Sequence, residues 1–295
     1  MHIARFRVRG KDQPSVGLVE GDQVIELIAS DGISQEQLVI GLLAQASQGA
    51  KPLLDGLASR GDTFKLSEIS LEAPIPRPGK FLAIGLNFAD HTSETGLQRP
   101  AVPVVFNKQS SCVTGPAAPI VRPLASTKLD YEGELGVVIG RRCRHVPASR
   151  AREVIGGYLI VNDVSVRDWQ FATPTMMMGK GWDTHGPIGP WITTADEVAD
   201  PHNLRIRTWV SGKLRQDGNT RDLLTDIGAI VAHLSTAFTL EPGDIIATGT
   251  PAGVGYAMDP PTFLRDGDVV RIEIDGLGAI SNPVVDETSN APCIT

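Results

Sequence analysis

The segment Asp130-Tyr131-Glu132-Gly133-Glu134-Leu135 runs directly into the apolar Gly136-Val137-Val138-Ile139. Side chains alternate across a strand, so Glu132 and Glu134 project from one face. Two carboxylates at the mouth of a buried strand repel each other and lose hydration, and a cation between them relieves both costs. Taken alone, an E-x-E strand is as a rule simply a solvated face. A third carboxylate, Asp163, interrupts the apolar run Tyr158-Leu159-Ile160-Val161-Asn162-Asp163-Val164. An ionised Asp there needs a partner, either a salt bridge to Arg167 or a shared cation. Three carboxylates without a Cys/His cluster make a hard-cation donor set that suits Mg²⁺ or Mn²⁺, with positions left for water and substrate. Ca²⁺ uses the same oxygens but usually takes more of them.

A possible base stands earlier in the chain. The stretch Asn87-Phe88-Ala89-Asp90-His91-Thr92-Ser93-Glu94-Thr95-Gly96 reads as one or two helical turns, capped by Asn87 and ended by Gly96. His91 and Glu94 are then i, i+3 neighbours on one face. An imidazole hydrogen-bonded to a carboxylate has the fixed tautomer that a general base needs, although a solvated surface turn carries the same pattern. The segment Met176–Pro187 is too glycine-rich for a helix, and Lys180 sits between Gly179 and Gly181 on backbone that can approach a ligand closely. His185 could reach such a site or be structural. The loop Thr248-Gly249-Thr250-Pro251-Ala252-Gly253-Val254-Gly255 lacks the order of a phosphate-binding P-loop and reads as a tight connection. His2, His145, His202 and His233 show no ligand-like spacing.

The elements that must position these groups are mostly short strands. Residues 2–8 and 15–27 contain β-like runs, with a hairpin turn at Glu20-Gly21-Asp22. Residues 34–60 look helical, with Leu38, Leu42, Leu43 and Ala46 at helix spacing and Leu53, Leu54 and Leu57 continuing it. The proline run at 71–80 disfavours helix and central strand alike and marks a boundary, dividing a small α+β module (1–72) from a larger domain (73–295). Strand-like segments follow at 81–86, 102–108, 129–140, 157–166, 205–212, 243–249 and 268–275, and one good helix at Leu223–Phe238. Many short strands with Gly/Pro turns predict an α+β, mostly β architecture of barrel, roll or sandwich type, and the missing βα alternation argues against a doubly wound sheet.

Composition narrows the partners. The 295 residues carry 27 Lys+Arg against 34 Asp+Glu, a net charge of −7, so there is no general basic surface for nucleic acid or anionic membrane. The longest apolar stretch, Leu38 to Ala44, is far short of the roughly twenty residues that a membrane span needs. The N-terminal residues include no apolar core of a secretory signal, and Cys112, Cys143 and Cys293 are scattered without a CxxC pair. The expectation is three reduced thiols in a cytoplasmic protein.

Together the motifs resemble the fumarylacetoacetate hydrolase family. The matching segments are IGLNFADHTSETG (84–96), VVFNKQSSCVTGP (104–116), DYEGELGVVIG (130–140), GYLIVNDVSVRDWQ (157–170), GKGWDTHGPIGPW (179–191) and EPGDIIATGTPAGVG (241–255). The resemblance implies a mixed β-roll catalytic domain, a homodimer, and one divalent metal per subunit held by Glu132, Glu134 and Asp163. It matches His91 and Glu94 to a water-activating dyad on a lid turn, and Lys180 to an active-site lysine. Arg167, Gln170 and Thr250 match residues lining the metal and substrate pocket.

The activity so implied is a Mg²⁺-dependent C–C hydrolase acting on a 2,4-dioxo acid such as an acylpyruvate or a fumarylacetoacetate-like compound, with Mn²⁺ or Ca²⁺ as other metals. The same metal site serves a 2-hydroxyhepta-2,4-diene-1,7-dioate isomerase or an oxaloacetate decarboxylase. A catalytically silent ligand-binding protein is a further reading, against which stands the complete set His91, Glu94, Glu132, Glu134, Asp163 and Lys180. One of Met176, Met177 and Met178 is expected to line an apolar pocket for the acyl end, with core packing as the alternative.

Overall fold

Near the N-terminus, apolar alternation produces an antiparallel meander of β1 (His2–Val8), β2 (Ser15–Glu20) and β3 (Gln23–Ala29), and Glu20 pairs with Gln23 across the expected turn. The computed structural model describes residues 1–11, 13–48, 57–96 and 98–289. Helix α1 (Gln35–Ala46) starts at Ser34, whose side chain accepts from Gln37 N while the Gln37 side chain accepts from Ser34 N. This capping box satisfies two otherwise orphan donors, and Leu38, Val39, Leu42, Leu43 and Ala46 form its buried stripe. The helical reading does not extend to residue 60. Leu53 and Leu54 lie outside the described residues, and β4 (Ala58–Lys65) is a strand paired antiparallel with β3. Cross-strand pairing overrides a weak local periodicity there.

After β5 (Ile69–Glu72) the proline run carries no strand until β6 (Phe81–Gly85). Helix α2 (Ala89–Thr95) and β7 (Val104–Lys108) follow, then the short β8 (Val113–Thr114), β9 (Ile120–Arg122) and β10 (Leu129–Asp130). Two fully buried strands come next, β11 (Gly133–Ile139) and β12 (Ile155–Asn162). Beyond β13 (Ser165–Val166) lie two single helical turns, α3 (Arg167–Gln170) and α4 (Met177–Lys180). The chain continues through β14 (Gly186–Thr194), β15 (Arg205–Val210), β16 (Lys213–Asn219), α5 (Ile227–Ala237), β17 (Ile245–Ala247), β18 (Val269–Ile274) and β19 (Gly278–Asp286).

One sheet of twelve strands runs β4-β3-β2-β1-β14-β12-β11-β17-β6-β7, with β5 paired to β1 and β8 to β14. A five-stranded sheet runs β16-β15-β18-β19-β9, and β10 pairs with β13. Most pairings are antiparallel, but β17–β6, β14–β8 and β19–β9 are parallel, so the architecture is mixed and mostly β. The N-terminal meander shares the large sheet through β1–β14, where Ile3 faces Ile192.

Strands β11 and β12 read as nearly unbroken apolar runs because both of their faces are covered. Leu135, Val137, Ile139, Tyr158 and Ile160 pack with the five-stranded sheet and α5, whereas Val138, Leu159 and Val161 pack with α1 and the N-terminal strands.

Three local expectations need correction. Helix α5 begins at Ile227, where Asp226 accepts from Ala229 N, rather than at Leu223. Residues 223–225 instead bind the segment before α2: Leu224 N donates to Asn87 O, and Thr225 N donates to Asn87 Oδ1. Asn87 is thereby occupied and does not cap α2, whose N-cap position is Phe88 with no side-chain hydrogen bond; Gly96 ends the helix in a left-handed conformation as expected. Finally, the glycine-rich 176–187 segment does form one helical turn, α4. Gly179 makes that possible, since a Cβ there would overlap the Gln170 backbone.

Candidate metal and catalytic site

The three carboxylates come together through strand register. Gly133 of β11 faces Asn162 of β12, so the next residue outward on each side, Glu132 and Asp163, are neighbours; Asp163 N donates to Glu132 O at 2.9 Å. Glu134 follows inside β11. One oxygen from each of Glu132, Glu134 and Asp163 lies within 4.8 Å of the others, and all three residues are buried, at 5%, 2% and 0% exposure.

Cations surround this cluster unevenly. Lys180, from the last position of α4, donates to Glu132 Oε2 at 2.6 Å and to Asp163 Oδ2 at 2.9 Å. Arg167, from the first position of α3, donates to Glu132 Oε1 at 2.6 Å, to Asp130 Oδ2 at 2.9 Å and to Gln170 Oε1 at 2.9 Å. Burial pushes the Glu132 carboxyl up, but Lys180 and Arg167 outweigh it and hold the group well below the usual carboxylate range. Burial likewise opposes the charge on Lys180, and Asp163 and Glu132 outweigh it to raise the ammonium. Glu134 differs. It accepts from Gly249 N at 2.8 Å and pairs with no cationic side chain among the described residues. Burial, Asp163 and Glu132 push its carboxyl well above the usual range.

The donor set therefore fits a divalent cation. It offers three hard oxygens at coordination spacing, and one of them is short of positive charge. Soft ligands are missing from the cluster, which argues against a zinc-thiolate or blue-copper site.

The base candidate opens onto the same cavity. His91 Nδ1 donates to Glu94 Oε1 at 2.8 Å, which leaves Nε2 as the ring nitrogen with a free lone pair. His91, Glu132, Glu134, Arg167, Gln170, Lys180 and Thr250 all line one cavity of about 80 Å³, closed on its apolar side by Leu86, Val104, Phe106, Phe171 and Met176. A larger concavity of about 900 Å³ lies between the N-terminal strands, α1 and the 74–78 proline run. Of its charged lining residues Arg5, Lys11, Glu36 and Arg77, the first two are paired with Glu72 and Glu26, and the lining contains no His and a single carboxylate. The carboxylate cluster and the His91–Glu94 pair make the smaller cavity the candidate site.

Of the residues singled out from the sequence as site residues, His91, Glu132, Glu134, Arg167, Gln170, Lys180 and Thr250 line this cavity, whereas Asp163 is fully buried beside Glu132 and Glu134 and outside the lining, and Glu94 is hydrogen-bonded to His91. Asp163 is partnered by Lys108 and Lys180; the alternative of a salt bridge to Arg167 is not what forms. Thr250 lines the cavity, yet its hydroxyl donates to Gly133 O and accepts from Gln216 Nε2. Of the methionines, Met176 lines the cavity and Met178 is exposed. His185 is buried away from the cluster, with Nε2 donating to Val121 O at 2.8 Å.

Three groups were not legible beforehand. Asp130 accepts from Gly255 N, Tyr256 N and Arg167 and so ties the 249–255 loop to the cluster. The Tyr256 ring stacks on the Arg167 guanidinium at 4.6 Å. Lys108, at the end of β7, donates to Asp163 Oδ1 at 2.7 Å and is not among the residues lining the cavity. The only signal for Lys108 was a lysine ending an apolar strand.

Residues 80–285 match the family model for the fumarylacetoacetate (FAA) hydrolase C-terminal domain, and residues 1–74 match the Rv2993c-like N-terminal model. Over 293 residues the chain is 42% identical to "Oxaloacetate tautomerase fahd2, mitochondrial" of Xenopus laevis, with 97% of this chain and 90% of that one covered. Among solved structures it is similar to maleylpyruvate hydrolase from Sphingobium sp. SYK-6 in complex with manganese (II) ion and pyruvate, at 35% identity, 98% and 100% coverage and a TM-score of 0.79. It is also similar to 2-hydroxyhepta-2,4-diene-1,7-dioate isomerase from Mycobacterium marinum, at 34% identity, 98% and 100% coverage and a TM-score of 0.78. Register-driven carboxylates, the mixed sheet and a match over most of the chain agree: this protein belongs to the fumarylacetoacetate hydrolase family.

Proposed function

We propose that the protein is a divalent-metal-dependent enzyme acting on small 2-oxo acids, and that its reaction is hydrolysis of a C–C bond in a 2,4-dioxo acid of acylpyruvate type. The observation that carries the hydrolytic reading is the His91–Glu94 hydrogen bond at 2.8 Å, on a turn whose histidine shares the cavity of the carboxylate cluster. Glu132, Glu134 and Asp163 would hold the ion, with Mg²⁺ or Mn²⁺ the metals of choice; when bound, it supplies Lewis acidity to the oxygens of the substrate's 2-oxo acid end.

The chain's own groups account for the remaining steps. Glu94 fixes the tautomer of His91, so Nε2 takes a proton from water. The water oxygen bonds to C4 and the C3–C4 bond breaks. Its electron pair leaves with the pyruvate fragment, which then takes up a proton at C3. The net change is acylpyruvate plus water to a carboxylic acid plus pyruvate. Lys180 and Arg167 supply positive charge beside the developing oxyanion, and Gln170 holds Arg167 in place. Thr250 contributes cavity wall and supports the β11 backbone.

A second reading is favoured by the 42% identity to a tautomerase and the likeness to an isomerase. In it His91 carries a proton between carbon and oxygen of the 2-oxo acid, breaking a C–H bond as an O–H bond forms or the reverse, with no water attack and no C–C bond cleaved. Oxaloacetate decarboxylation uses the same acid end. We further propose a homodimer in the cytoplasm, a placement favoured by free Cys112 and Cys143. No helix among the described residues is long and apolar enough to cross a membrane, while the Xenopus laevis relative is named mitochondrial.

The test is a panel of acylpyruvates, oxaloacetate and a 2-hydroxy-diene diacid, run with Mn²⁺, with Mg²⁺ and with EDTA. Metal-dependent loss of the diketo-enol ultraviolet band together with stoichiometric pyruvate supports hydrolysis. Intact acylpyruvates alongside interconversion of the diacid or of oxaloacetate enol would overturn it in favour of the second reading.

A further inference from the structure

We propose that Lys108 is a positioning residue for the cation site, an inference that rests on the metal reading above. The Lys108 side chain is fully buried, and its ammonium donates to Asp163 Oδ1 at 2.7 Å and to the backbone carbonyl of Lys180. Lys180 in turn donates through its own ammonium to Asp163 Oδ2 at 2.9 Å. The three residues close a ring: Lys108 holds one Asp163 oxygen and the backbone of Lys180, and the Lys180 side chain returns to the other Asp163 oxygen. One group on the end of β7 thus fixes two cluster members relative to each other, although they come from different elements, the end of β12 and the end of α4.

Lys108, like Asp163, lies outside the set of residues lining the cavity. Lys108 occupies Oδ1, and Oδ2 is the Asp163 oxygen that accepts from Lys180. A buried ammonium is costly, and a buried ion pair is weak evidence of a stability role, because an apolar replacement of similar volume often serves as well. Orienting a ligand from behind is work that an apolar residue cannot do, and removal of such outer partners weakens metal sites about 10- to 100-fold.

Charge and orientation make opposite predictions here. If Lys108 acted only as a positive charge near the site, removing it would tighten cation binding by relieving repulsion. If it positions Asp163, removing it loosens binding.

The experiment uses the full-length protein stripped with EDTA and titrated with Mn²⁺, reading free Mn²⁺ by electron paramagnetic resonance. Lys108→Met is expected to raise the Mn²⁺ dissociation constant about 10- to 100-fold. Lys108→Arg, which keeps cationic donors, is expected to recover a substantial part of that loss. Lys108→Gln, a neutral donor, replaces the methionine variant should the latter lose its cooperative melt, and is expected to weaken binding in the same direction. Wild-type or tighter Mn²⁺ binding in the methionine or glutamine variant overturns the proposal. Failure of the wild-type protein to take up Mn²⁺ overturns the metal reading itself, and this proposal with it.

Discussion

The carboxylate of Glu94 accepts the backbone N–H of Gly253 at 2.9 Å with the oxygen that His91 does not use. Gly253 is held from its other side by the Tyr131 hydroxyl, which donates to its carbonyl at 2.8 Å. Its φ of +104° lies in the region that favours glycine, and a Cβ would overlap the Arg215 carbonyl. The imidazole is therefore oriented by a carboxylate that is itself anchored to the loop following β17. Glu94→Gln keeps the size of the side chain but cannot accept equally well at both positions. We expect kcat to fall on the order of 100-fold with a much smaller change in KM, measured as pyruvate release. Gly253→Ala should move activity the same way and cost roughly 1–3 kcal/mol of stability by forcing a side chain into a strained conformation. Full activity in both variants would separate the dyad from catalysis.

His91→Ala is expected to lose hydrolysis of acylpyruvates by about 100- to 10,000-fold while leaving metal-dependent decarboxylation of oxaloacetate largely in place. Water activation needs the imidazole, whereas departure of CO₂ needs only the acid end to be held. Parallel loss of both activities would mean that His91 serves binding or proton transfer in general.

Metal binding should be visible in stability as well as in activity. Burial, Asp163 and Glu132 raise the Glu134 carboxyl well above its ordinary 4.5. The metal-free fold then keeps a proton that the unfolded chain releases. That stabilisation is complete below the unfolded value and disappears as pH rises through the raised one. The Tm of the metal-free protein should therefore decline as pH rises above 6.5, where the buried His185 no longer adds an opposing slope, and saturating Mn²⁺ should flatten the decline. Glu134→Gln should flatten it without metal. A metal-free wild type whose Tm is indifferent to pH over this range would contradict the account.

His185 gives the opposite slope on the acid side. Burial pushes its imidazole down to about 4 from 6.5. A neutral imidazole is favoured in the fold, so its contribution is fully present above 6.5 and is lost as pH falls through about 4. The shift corresponds to about 3 kcal/mol. Denaturant titrations between those pH values should show this loss in the wild type. His185→Phe should lack it, while being less stable at neutral pH because the bond to Val121 O is gone. An unchanged acid slope in the variant would assign the effect elsewhere.

Met176 stands in the apolar wall with Val104 and Phe106. Met176→Ser should raise KM for acylpyruvates with longer acyl chains several-fold more than for acetylpyruvate, since each buried methylene contributes about 0.8 kcal/mol. Equal effects on short and long substrates would remove Met176 from the acyl pocket.

What the sequence determined by itself was the chemistry on offer and the local elements. The E-x-E strand, the Asp after an apolar run and the His-x-x-Glu turn specify carboxylates, a strand period and a helical i, i+3 pair, all of which depend on a few adjacent residues. The hairpin turn at Glu20-Gly21-Asp22 was legible for the same reason. Partnerships were decided only by tertiary structure. Asp163 could have taken Arg167, four residues away, but the packing of α4 against β7 and β13 brings Lys180 and Lys108 to it instead. Asn87 was free to cap α2 until residues 223–225 claimed its amide, and residues 58–60 continued a helix until β3 offered them a ladder. A buried charge or unpaired backbone group takes the best partner within reach. Reach is set by the packing of distant segments, which no local window of sequence contains.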